Sequence, residues 1–286
     1  MSRTVYVNSA FVPEEEATVS IFDRGFLFAD AVYEVTSVVG GKLIDYAGHM
    51  QRLRRSLGEL EMPSPLDDEA LLGVHRELVA RNGIDEGLVY LQVTRGNAGD
   101  RDFVFPPAET APTLVMFTQT KSVVDSPIAV RGIKVVSMPD IRWGRCDIKT
   151  VQLLASAMAK MEAKHHHVDD AWMVRDGLVT EGSSNNAYIV TEDGTIVTRE
   201  RSQSILHGIT RAAILRLAEE SGLTVEERGF SIEEAQAAQE AFITSATTFV
   251  HPVIEIDGAR VGGGQPGPVA RRLREIYIEE SLKTAI

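Results

Sequence analysis

Residues 145–186 read RCDIKTVQLLASAMAKMEAKHHHVDDAWMVRDGLVTEGSSNN. Lys149 follows a short β-like segment and precedes a predicted amphipathic helix. The apolar face of that helix is formed by Val151, Leu154, Ala155, Met158 and Met161. Desolvation lowers the pKa of an ammonium group, and a neutral amine can form a Schiff base with a carbonyl. We therefore expect Lys149 to be a reactive lysine walled by apolar side chains.

Glu181 lies on the second predicted strand of the same stretch. A turn of small polar residues follows it: Gly182, Ser183, Ser184, Asn185 and Asn186. A lysine and a carboxylate held apart suit pyridoxal phosphate. The lysine binds the aldehyde, and the acid keeps the pyridine nitrogen protonated so that the ring can act as an electron sink.

Two motifs in this stretch resemble the fold-type IV pyridoxal-phosphate enzymes. They are K-T-x-x-x-L from Lys149 and E-G-S-S-x-N from Glu181. The group includes D-amino acid aminotransferases, branched-chain aminotransferases, (R)-amine transaminases and aminodeoxychorismate lyases. The resemblance implies an α+β fold of two domains, a small α/β N-terminal domain and a larger β-barrel-like C-terminal domain with helices, with the cofactor between them. It also implies that Ser184 and Asn185 bind the cofactor.

The composition bounds the class of protein. The chain has 286 residues, 44% of them hydrophobic, which is enough for two globular domains. A formal charge of −12 argues against a nucleic-acid-binding surface. The single cysteine, Cys146, excludes an intrachain disulfide framework and is consistent with a reducing compartment. No stretch has the length of a membrane span or of a signal peptide, so we expect a cytoplasmic protein.

Residues 23–35, DRGFLFADAVYEV, extend the resemblance to the N-terminal half. In the family the tyrosine of V-Y-E-V, here Tyr33, faces the cofactor and substrate. V-Y-E-V is more typical of the D-amino acid branch than of the branched-chain one. Farther on, the family's H-x-x-R-L motif supplies the arginine that binds the cofactor phosphate. That motif places Arg52 on a helix predicted over Gly48–Leu60.

The loop after the predicted strand Leu88–Arg95 departs from the family pattern. D-specific members carry R-x-H here to hold the substrate carboxylate, whereas this chain reads Arg101-Asp102-Phe103. Arg101 can keep that role, but Phe103 has no hydrogen-bond donor. Arg24 is a second candidate for the carboxylate. Tyr90, on the strand, occupies a position that lines the substrate site in the family.

Two further motifs are predicted to bind the phosphate. G-I-T-R places Gly208, Ile209 and Thr210 at the start of a helix, where backbone N–H groups and the helix dipole favour anions. The preceding Leu206 matches a leucine that packs on the pyridine ring. The stretch Phe242–Thr248, FITSATT, matches a second phosphate-side turn, in which Ser245, Ala246 and Thr247 are the candidate residues.

His165, His166 and His167 do not predict a metal site. Adjacent residues of a helix point in divergent directions and cannot readily converge on one ion. We expect solvated side chains near the end of the helix.

We predict an N-terminal α/β domain over residues 1–120, a linker over 121–127 and a C-terminal cofactor domain over 128–286 that opens with a strand at Ile128–Met138. The stretch Ile205–Ala218 contains the predicted helix that starts at Gly208-Ile209-Thr210. The resemblance also implies a homodimer whose pockets are completed by loops of the partner.

The function implied is ping-pong transamination from a D-amino acid to 2-oxoglutarate or pyruvate. Lys149 moves the proton, and Glu181 has a pKa depressed by a cationic partner. Three alternatives stay open at this point: an (R)-selective amine transaminase, a branched-chain aminotransferase and an aminodeoxychorismate-type lyase. A non-catalytic binding protein is disfavoured, because both Lys149 and Glu181 are present.

Overall fold

The computed structural model describes residues 2–286, which divide into two compact units. The first unit comprises the chain up to Val123 together with Ile148–Gln152 and Thr284–Ile286. The second comprises Val124–Asp147 and Leu153–Lys283. The division near Val123 lies within the predicted linker. The two short segments depart from the predicted domains, because each hydrogen-bonds to strands of the first unit.

The first unit contains a six-stranded antiparallel sheet and three helices. The sheet order is β2-β1-β6-β5-β3-β4. The strands are β1 (Thr4–Val7), β2 (Ala10–Pro13), β3 (Ala31–Val39), β4 (Lys42–Leu43), β5 (Glu86–Thr94) and β6 (Thr113–Thr120), and the helices are α1 (Arg24–Phe28), α2 (Tyr46–Glu59) and α3 (Asp68–Arg81).

Strand β3 is rich in β-branched residues and pairs with β5 along its whole length. Val32, Glu34 and Thr36 alternate along one face and are buried, while Tyr33 and Val35 on the other face are half-buried. Helix α2 packs on this unit through Met50, Leu53 and Leu57, all nearly inaccessible. The same helix also buries His49 and Arg52, and therefore brings two cationic side chains toward Glu34.

The second unit contains a nine-stranded mixed sheet and five helices. Its order is β12-β11-β10-β13-β14-β7-β8-β9, with β15 paired to β14. The strands are β7 (Ile133–Pro139), β8 (Asp170–Arg175), β9 (Leu178–Gly182), β10 (Asn186–Val190), β11 (Ile196–Thr198), β12 (Val225–Glu227), β13 (Glu240–Ser245), β14 (Phe249–Ile256) and β15 (Ala259–Arg260). The helices are α4 (Pro127–Arg131), α5 (Leu154–His165), α6 (Ile209–Glu220), α7 (Ile232–Ala237) and α8 (Pro268–Thr284).

The sheet of the second unit curls on itself. Strand β9 is at one end of the strand order, and β10 is third from the other end. Yet the turn at residues 183–185 joins these two strands directly. A flat sheet of this order would place them too far apart for so short a turn, so the sheet must be curved into a partial barrel. The predicted α+β class with a β-barrel-like second domain is confirmed.

Two predicted elements are wrong in detail. Residues 127–131 form helix α4 rather than the start of a strand, because Pro127 favours the first turn of a helix and Gly132 ends it with a positive φ.

The predicted apolar face of α5 is not buried. Leu154, Met158 and Met161 are 76%, 50% and 48% exposed, whereas Ala159 and Ala163 pack against Ala171 and Met173 of β8. The small residues allow the helix to approach the sheet closely.

The start of α6 agrees with the prediction that Gly208, Ile209 and Thr210 lie at the start of a helix. The helix begins at Ile209, because residues 205–208 form an extended segment that binds Glu181 and Asn186. None of the helices described in residues 2–286 is long and apolar enough to cross a membrane.

Candidate active site

Lys149 is held by backbone contacts with β3. Its carbonyl accepts a hydrogen bond from Tyr33 N (3.0 Å), and Val151 N donates to Ala31 O (3.1 Å). Its own N–H donates to Ser56 Oγ of helix α2 (3.3 Å). These bonds fix the backbone on both sides of the side chain. The Nζ atom then lies 4.0 Å from the centre of the Tyr33 ring, and it forms no ion pair with any residue of the described chain.

Tyr33 belongs to an aromatic row across three strands. The Tyr33 and Tyr90 rings stack at 5.6 Å, and the Tyr90 and Phe117 rings stack at 4.7 Å. Burial raises the pKa of Tyr90, whose hydroxyl donates to Gln92 Oε1 (2.8 Å). The row therefore brings Tyr33 and Tyr90 together on the sheet face at which Lys149 Nζ lies.

Arg52 is bound to Glu34 by two donors on one edge of its guanidinium group. Nε donates to Oε1 (2.7 Å) and Nη2 to Oε2 (2.8 Å), and His49 Nδ1 lies 2.8 Å from Oε2. Burial disfavours ionised Glu34, but the charge and hydrogen bonds of Arg52 and His49 outweigh it and hold the pKa of this carboxyl well below its usual range. The guanidinium group that is predicted to bind phosphate therefore also makes two hydrogen bonds to Glu34, and these fix the orientation of Arg52.

The two candidate arginines for a substrate carboxylate have different surroundings. Arg24 is 4% exposed and donates to Asp30 (2.8 Å) and to the carbonyl of Asp102 (2.7 Å). Arg101 is exposed, and its guanidinium lies 4.9 Å from the Phe28 ring and 4.7 Å from the Phe103 ring. Arg101 has no carboxylate partner in residues 2–286. Residues 101–105 are called the 101–105 loop below.

In the second unit, Glu181 is surrounded by hydrogen-bond donors. Leu206 N lies 3.1 Å from each carboxylate oxygen, Asn186 Nδ2 donates to Oε2 (2.9 Å), and Arg142 Nη1 donates to Oε1. Arg142 is itself held by Asp140 (2.8 Å), whose pKa is about 2 because hydrogen bonds from Arg142 outweigh its burial. Donors directed at both oxygens of one carboxyl match the ionised form.

The pKa of Glu181 is nevertheless shifted upward. Burial raises it, and the charge of Arg142 and the hydrogen bonds from Arg142 and Leu206 oppose the rise. The depressed pKa expected from the sequence is therefore wrong. The sequence indicates that a cation is a suitable partner, but it does not show how completely the carboxyl is removed from water.

Asp170 organises the turn that follows Glu181. Its carboxylate accepts hydrogen bonds from Ser183 Oγ (2.5 Å) and Asn185 Nδ2 (2.6 Å) and pairs with Lys160 Nζ (2.8 Å). The predicted cofactor residue Ser184 is exposed, while the Oδ1 atom of Asn185 is buried without a hydrogen-bond partner. Asp170 therefore holds the side chains of Ser183 and Asn185, while Ser184 between them is exposed.

The start of α6 has the features of an anion site. Gly208 is its N-cap and supplies no side-chain cap. A Cβ at Gly208 would lie 2.2 Å from Asn186 Oδ1, so glycine is needed for this close approach. Thr210 is 2% exposed, and its Oγ1 has no hydrogen-bond partner. A buried unsatisfied hydroxyl is costly, which indicates that a ligand atom is its natural partner.

Ser245 is the last residue of β13, and Ala246 and Thr247 lie in the turn that joins it to β14. Ser245 Oγ lies 2.8 Å from Thr248 Oγ1 and 3.5 Å from Thr247 Oγ1. All three predicted residues are partly accessible, so hydroxyl and backbone groups can reach a ligand.

Three residues beside these groups were missed from the sequence: Arg142, Asp170 and Asn186. Arg142 is in an irregular segment, D-I-R at residues 140–142, that follows no periodic pattern. Asp170 starts a strand and reads as an ordinary strand residue. Asn186 ends the E-G-S-S-N-N motif, and only that position could have indicated its contact with Glu181.

The chain belongs to the class IV aminotransferases. The family model "Amino-transferase class IV" matches residues 31–256, which contain Lys149, Glu181 and the G-I-T-R helix start. The predicted membership of the fold-type IV superfamily is confirmed.

The relatives are similar over nearly the full length. A D-alanine aminotransferase of Staphylococcus aureus (strain MSSA476) is 38% identical over 273 residues, 95% of each chain. A D-alanine aminotransferase of Listeria monocytogenes serotype 4b (strain F2365) is 37% identical over 279 residues, 98% of this chain and 96% of the relative.

Solved structures of the same superfamily share the fold. A crystal structure of a branched-chain amino acid aminotransferase from T.th. with pyridoxamine 5'-phosphate has a TM-score of 0.88 at 29% identity, covering 98% of this chain and 94% of that one. The branched-chain aminotransferase of Thermoproteus uzoniensis, solved with norvaline, has a TM-score of 0.87 at 26% identity and covers 99% and 96% of the two chains.

Proposed function

We propose that this protein is a pyridoxal-phosphate-dependent D-amino-acid aminotransferase, which moves the amino group of a D-amino acid to 2-oxoglutarate or pyruvate. The family and the D-alanine aminotransferases at 36–38% identity support this activity. The observation that carries it is the placement of Lys149, an amine without an ion-pair partner in residues 2–286 that is fixed against the Tyr33 ring.

The residues present fit pyridoxal phosphate. Thr210 has a buried hydroxyl without a partner at the start of α6, and Gly208 and Ile209 precede it there. These groups, with Arg52 and the turn Ser245–Thr247, would bind the phosphate. Leu206 would contact the ring, and Ser184 and Asn185 would lie beside it. When bound, the cofactor supplies an electron sink that stabilises a carbanion at the substrate Cα.

Lys149 has two tasks in this reaction. Its Nζ is the amine that would bind the cofactor aldehyde in the resting enzyme. Once a substrate amine had displaced it, the free Nζ would act as general base and acid and move a proton between the substrate Cα and the cofactor's C4′. Tyr33 limits where Nζ can lie, since Nζ is 4.0 Å from the centre of its ring. Exchange of the product keto acid for a second keto acid would complete the ping-pong cycle.

Glu181 would hold the proton on the ring nitrogen. Its carboxylate is oriented by Arg142, Asn186 and Leu206 N. Burial raises the pKa of this carboxyl, whereas Arg142 and the Leu206 N–H favour its ionised form. The ionised form is the one that could accept a hydrogen bond from a protonated ring nitrogen.

Arg101 is the better candidate for the substrate carboxylate. Arg24 already donates to Asp30 and to the carbonyl of Asp102, whereas the Arg101 guanidinium lies against the Phe28 and Phe103 rings and pairs with no carboxylate in residues 2–286. Aromatic faces leave the in-plane N–H donors of a guanidinium available for a carboxylate. Tyr33 and Tyr90 would line the rest of the substrate site.

We further propose a homodimer in the cytoplasm. The exposed residues Leu154, Met158 and Met161 form an apolar stripe on one side of α5. Apolar side chains at this helical spacing are typical of a protein interface. The one cysteine is free and buried, which is consistent with a reducing compartment.

A donor panel tests the activity. D-alanine, D-glutamate, L-leucine and (R)-1-phenylethylamine are compared at equal concentration with one keto-acid acceptor, and D-alanine or D-glutamate should be fastest. Preference for L-leucine would instead identify a branched-chain aminotransferase, and preference for the amine an (R)-amine transaminase. A parallel assay of pyruvate release from aminodeoxychorismate without acceptor distinguishes a lyase, which needs no keto acid.

A further inference from the structure

We propose that Arg24, anchored by Asp30, is a positioning residue that holds the 101–105 loop so that Arg101 can bind the substrate carboxylate. The proposal rests on the proposed function, because it assumes that Arg101 contacts the substrate. It assigns Arg24 a role other than the direct substrate contact expected from the sequence.

Arg24 links a buried anchor to the backbone of the loop. Its Nε donates to Asp30 Oδ2 (2.8 Å), and its Nη1 donates to the carbonyls of Asp102 (2.7 Å) and Val104 (3.4 Å). In the described chain, no other hydrogen bond joins the backbone of residues 102–104 to a residue outside the loop. The loop side chains are largely in solvent, with Phe103 and Val104 75% and 73% exposed. The position of the loop therefore depends strongly on one guanidinium.

The anchor is rigid because Asp30 has two arginine partners. Arg95 Nε also donates to Asp30 Oδ2 (2.8 Å), and Arg95 Nη2 donates to Leu60 O (2.8 Å). The side chains of Arg24, Asp30 and Arg95 are 5%, 9% and 8% exposed. Arg95 also supports the end of the loop, since its guanidinium lies 3.7 Å from the centre of the Phe105 ring. The Asp30 carboxylate thus fixes the guanidinium groups of both Arg24 and Arg95 next to the 101–105 loop.

The Phe28 ring lies next to both arginines, the positioning residue Arg24 and the carboxylate-binding candidate Arg101. The Arg24 guanidinium lies 4.5 Å from the Phe28 ring centre, and that of Arg101 lies 4.9 Å from it. Phe103 contacts Phe28 edge-on at 5.4 Å and Arg101 at 4.7 Å. A displaced loop would carry Phe103 away from Phe28 and change the direction of the Arg101 donors. Loss of Arg24 should therefore weaken substrate binding without touching the proton-transfer step.

The experiment is a double-mutant cycle on the holoenzyme. Arg24→Met keeps side-chain length but removes every hydrogen bond, and it should raise the half-saturation concentration for D-alanine about tenfold, with the limiting rate of the half-reaction changed by no more than about twofold. In an Arg101→Ala background, Arg24→Met should give no further rise, because it acts only through Arg101. Arg24→Lys can reach one partner but not both, so its effect should be intermediate.

Hydrogen exchange gives a readout independent of turnover. The backbone amide of Val104, which donates to Asp102 Oδ1 (3.1 Å) within the loop, should exchange faster in Arg24→Met than in the unmodified holoenzyme, at equal visible absorbance of the bound cofactor. Arg81→Met is the matched control, since Arg81 also pairs with a carboxylate and lies 4.6 Å from a phenylalanine ring, Phe11, away from the loop. It should alter neither loop exchange nor half-saturation.

Three results would overturn the proposal: unchanged half-saturation in Arg24→Met, an equal further rise in the Arg101→Ala background, or unchanged loop exchange. If Arg24→Met does not fold, Arg24→Lys carries the same comparisons. Failure of the proposed function is distinguishable, since the unmodified enzyme would then not convert D-alanine at all.

Discussion

The Nζ atom of Lys149 lies 4.0 Å from the centre of the Tyr33 ring, and the backbone of Lys149 hydrogen-bonds to that of Tyr33. The amine and the ring are therefore positioned by the same strand pairing.

We expect Lys149→Ala to lose the visible absorbance of the lysine–cofactor bond and nearly all transaminase activity, by at least about 10³-fold, because the proton-transfer group is removed. Lys134→Ala is the control, since Lys134 pairs with Glu255 on the surface. Absorbance spectra and D-alanine turnover measure both effects. Activity near the wild-type level in Lys149→Ala would exclude Lys149 as the catalytic lysine.

Thr210→Val should lower the affinity for the cofactor without lowering the stability of the apoprotein. In the protein without cofactor the Thr210 hydroxyl is buried and unpaired, so its removal should leave stability equal or raised by up to about 1 kcal/mol. Cofactor affinity should fall, because the phosphate loses a donor. Calorimetry of the apoprotein and cofactor titration measure the two. Thr198→Val is the control: its hydroxyl bonds Ala187 O (2.8 Å), so stability should fall instead.

Glu34→Gln should make stability less dependent on pH in the acid range. The folded protein holds the pKa of Glu34 below its ordinary value of 4.5, so this carboxylate stabilises the fold above that pH and the contribution is lost as pH falls below it. At pH 7 the variant should be less stable by about 3 kcal/mol, since a buried arginine loses its ionic partner. Melting temperatures at pH 7 and pH 4 should differ less in the variant than in the wild type. An equal pH dependence would show that folding does not lower the pKa of Glu34.

Arg101→Ala should raise KM for D-alanine while sparing (R)-1-phenylethylamine, which has no carboxylate. A charged hydrogen bond to a substrate is worth about 1.5–3 kcal/mol, so we expect an increase of about tenfold or more. Steady-state kinetics with both donors measure this. An equal loss with both donors would mean that Arg101 supports the fold of the loop rather than the carboxylate.

Met158→Glu should weaken the proposed dimer, because it places a charge within the exposed stripe of α5. Light scattering at micromolar concentration should show a shift from dimer to monomer. Val130→Asp is the control, since Val130 is 81% exposed on α4 and outside that stripe. A monomeric wild-type protein would contradict the dimer directly.

The motifs predicted the fold because each combines chemistry with a fixed local geometry. Gly208 before a helix is an example, whereas Lys149 follows a turn and a bend rather than the β-like segment predicted there. The apolar face of α5 was misassigned because spacing identifies a face but not its partner. Arg142 was missed because only the curled sheet brings its irregular segment to Glu181. The pKa of Glu181 depends on burial, which no local pattern contains.

Leu43 and Ile286 exchange two backbone hydrogen bonds, N to O at 2.8 and 3.2 Å, at the β4 edge of the first unit. The same unit also requires residues 148–152 beside β3. A ribosome delivers the chain from its N-terminus, so the first 123 residues emerge long before these partners exist. The first unit therefore lacks both segments while most of the second unit is being synthesised, and Leu43 is without its Ile286 partner during that time.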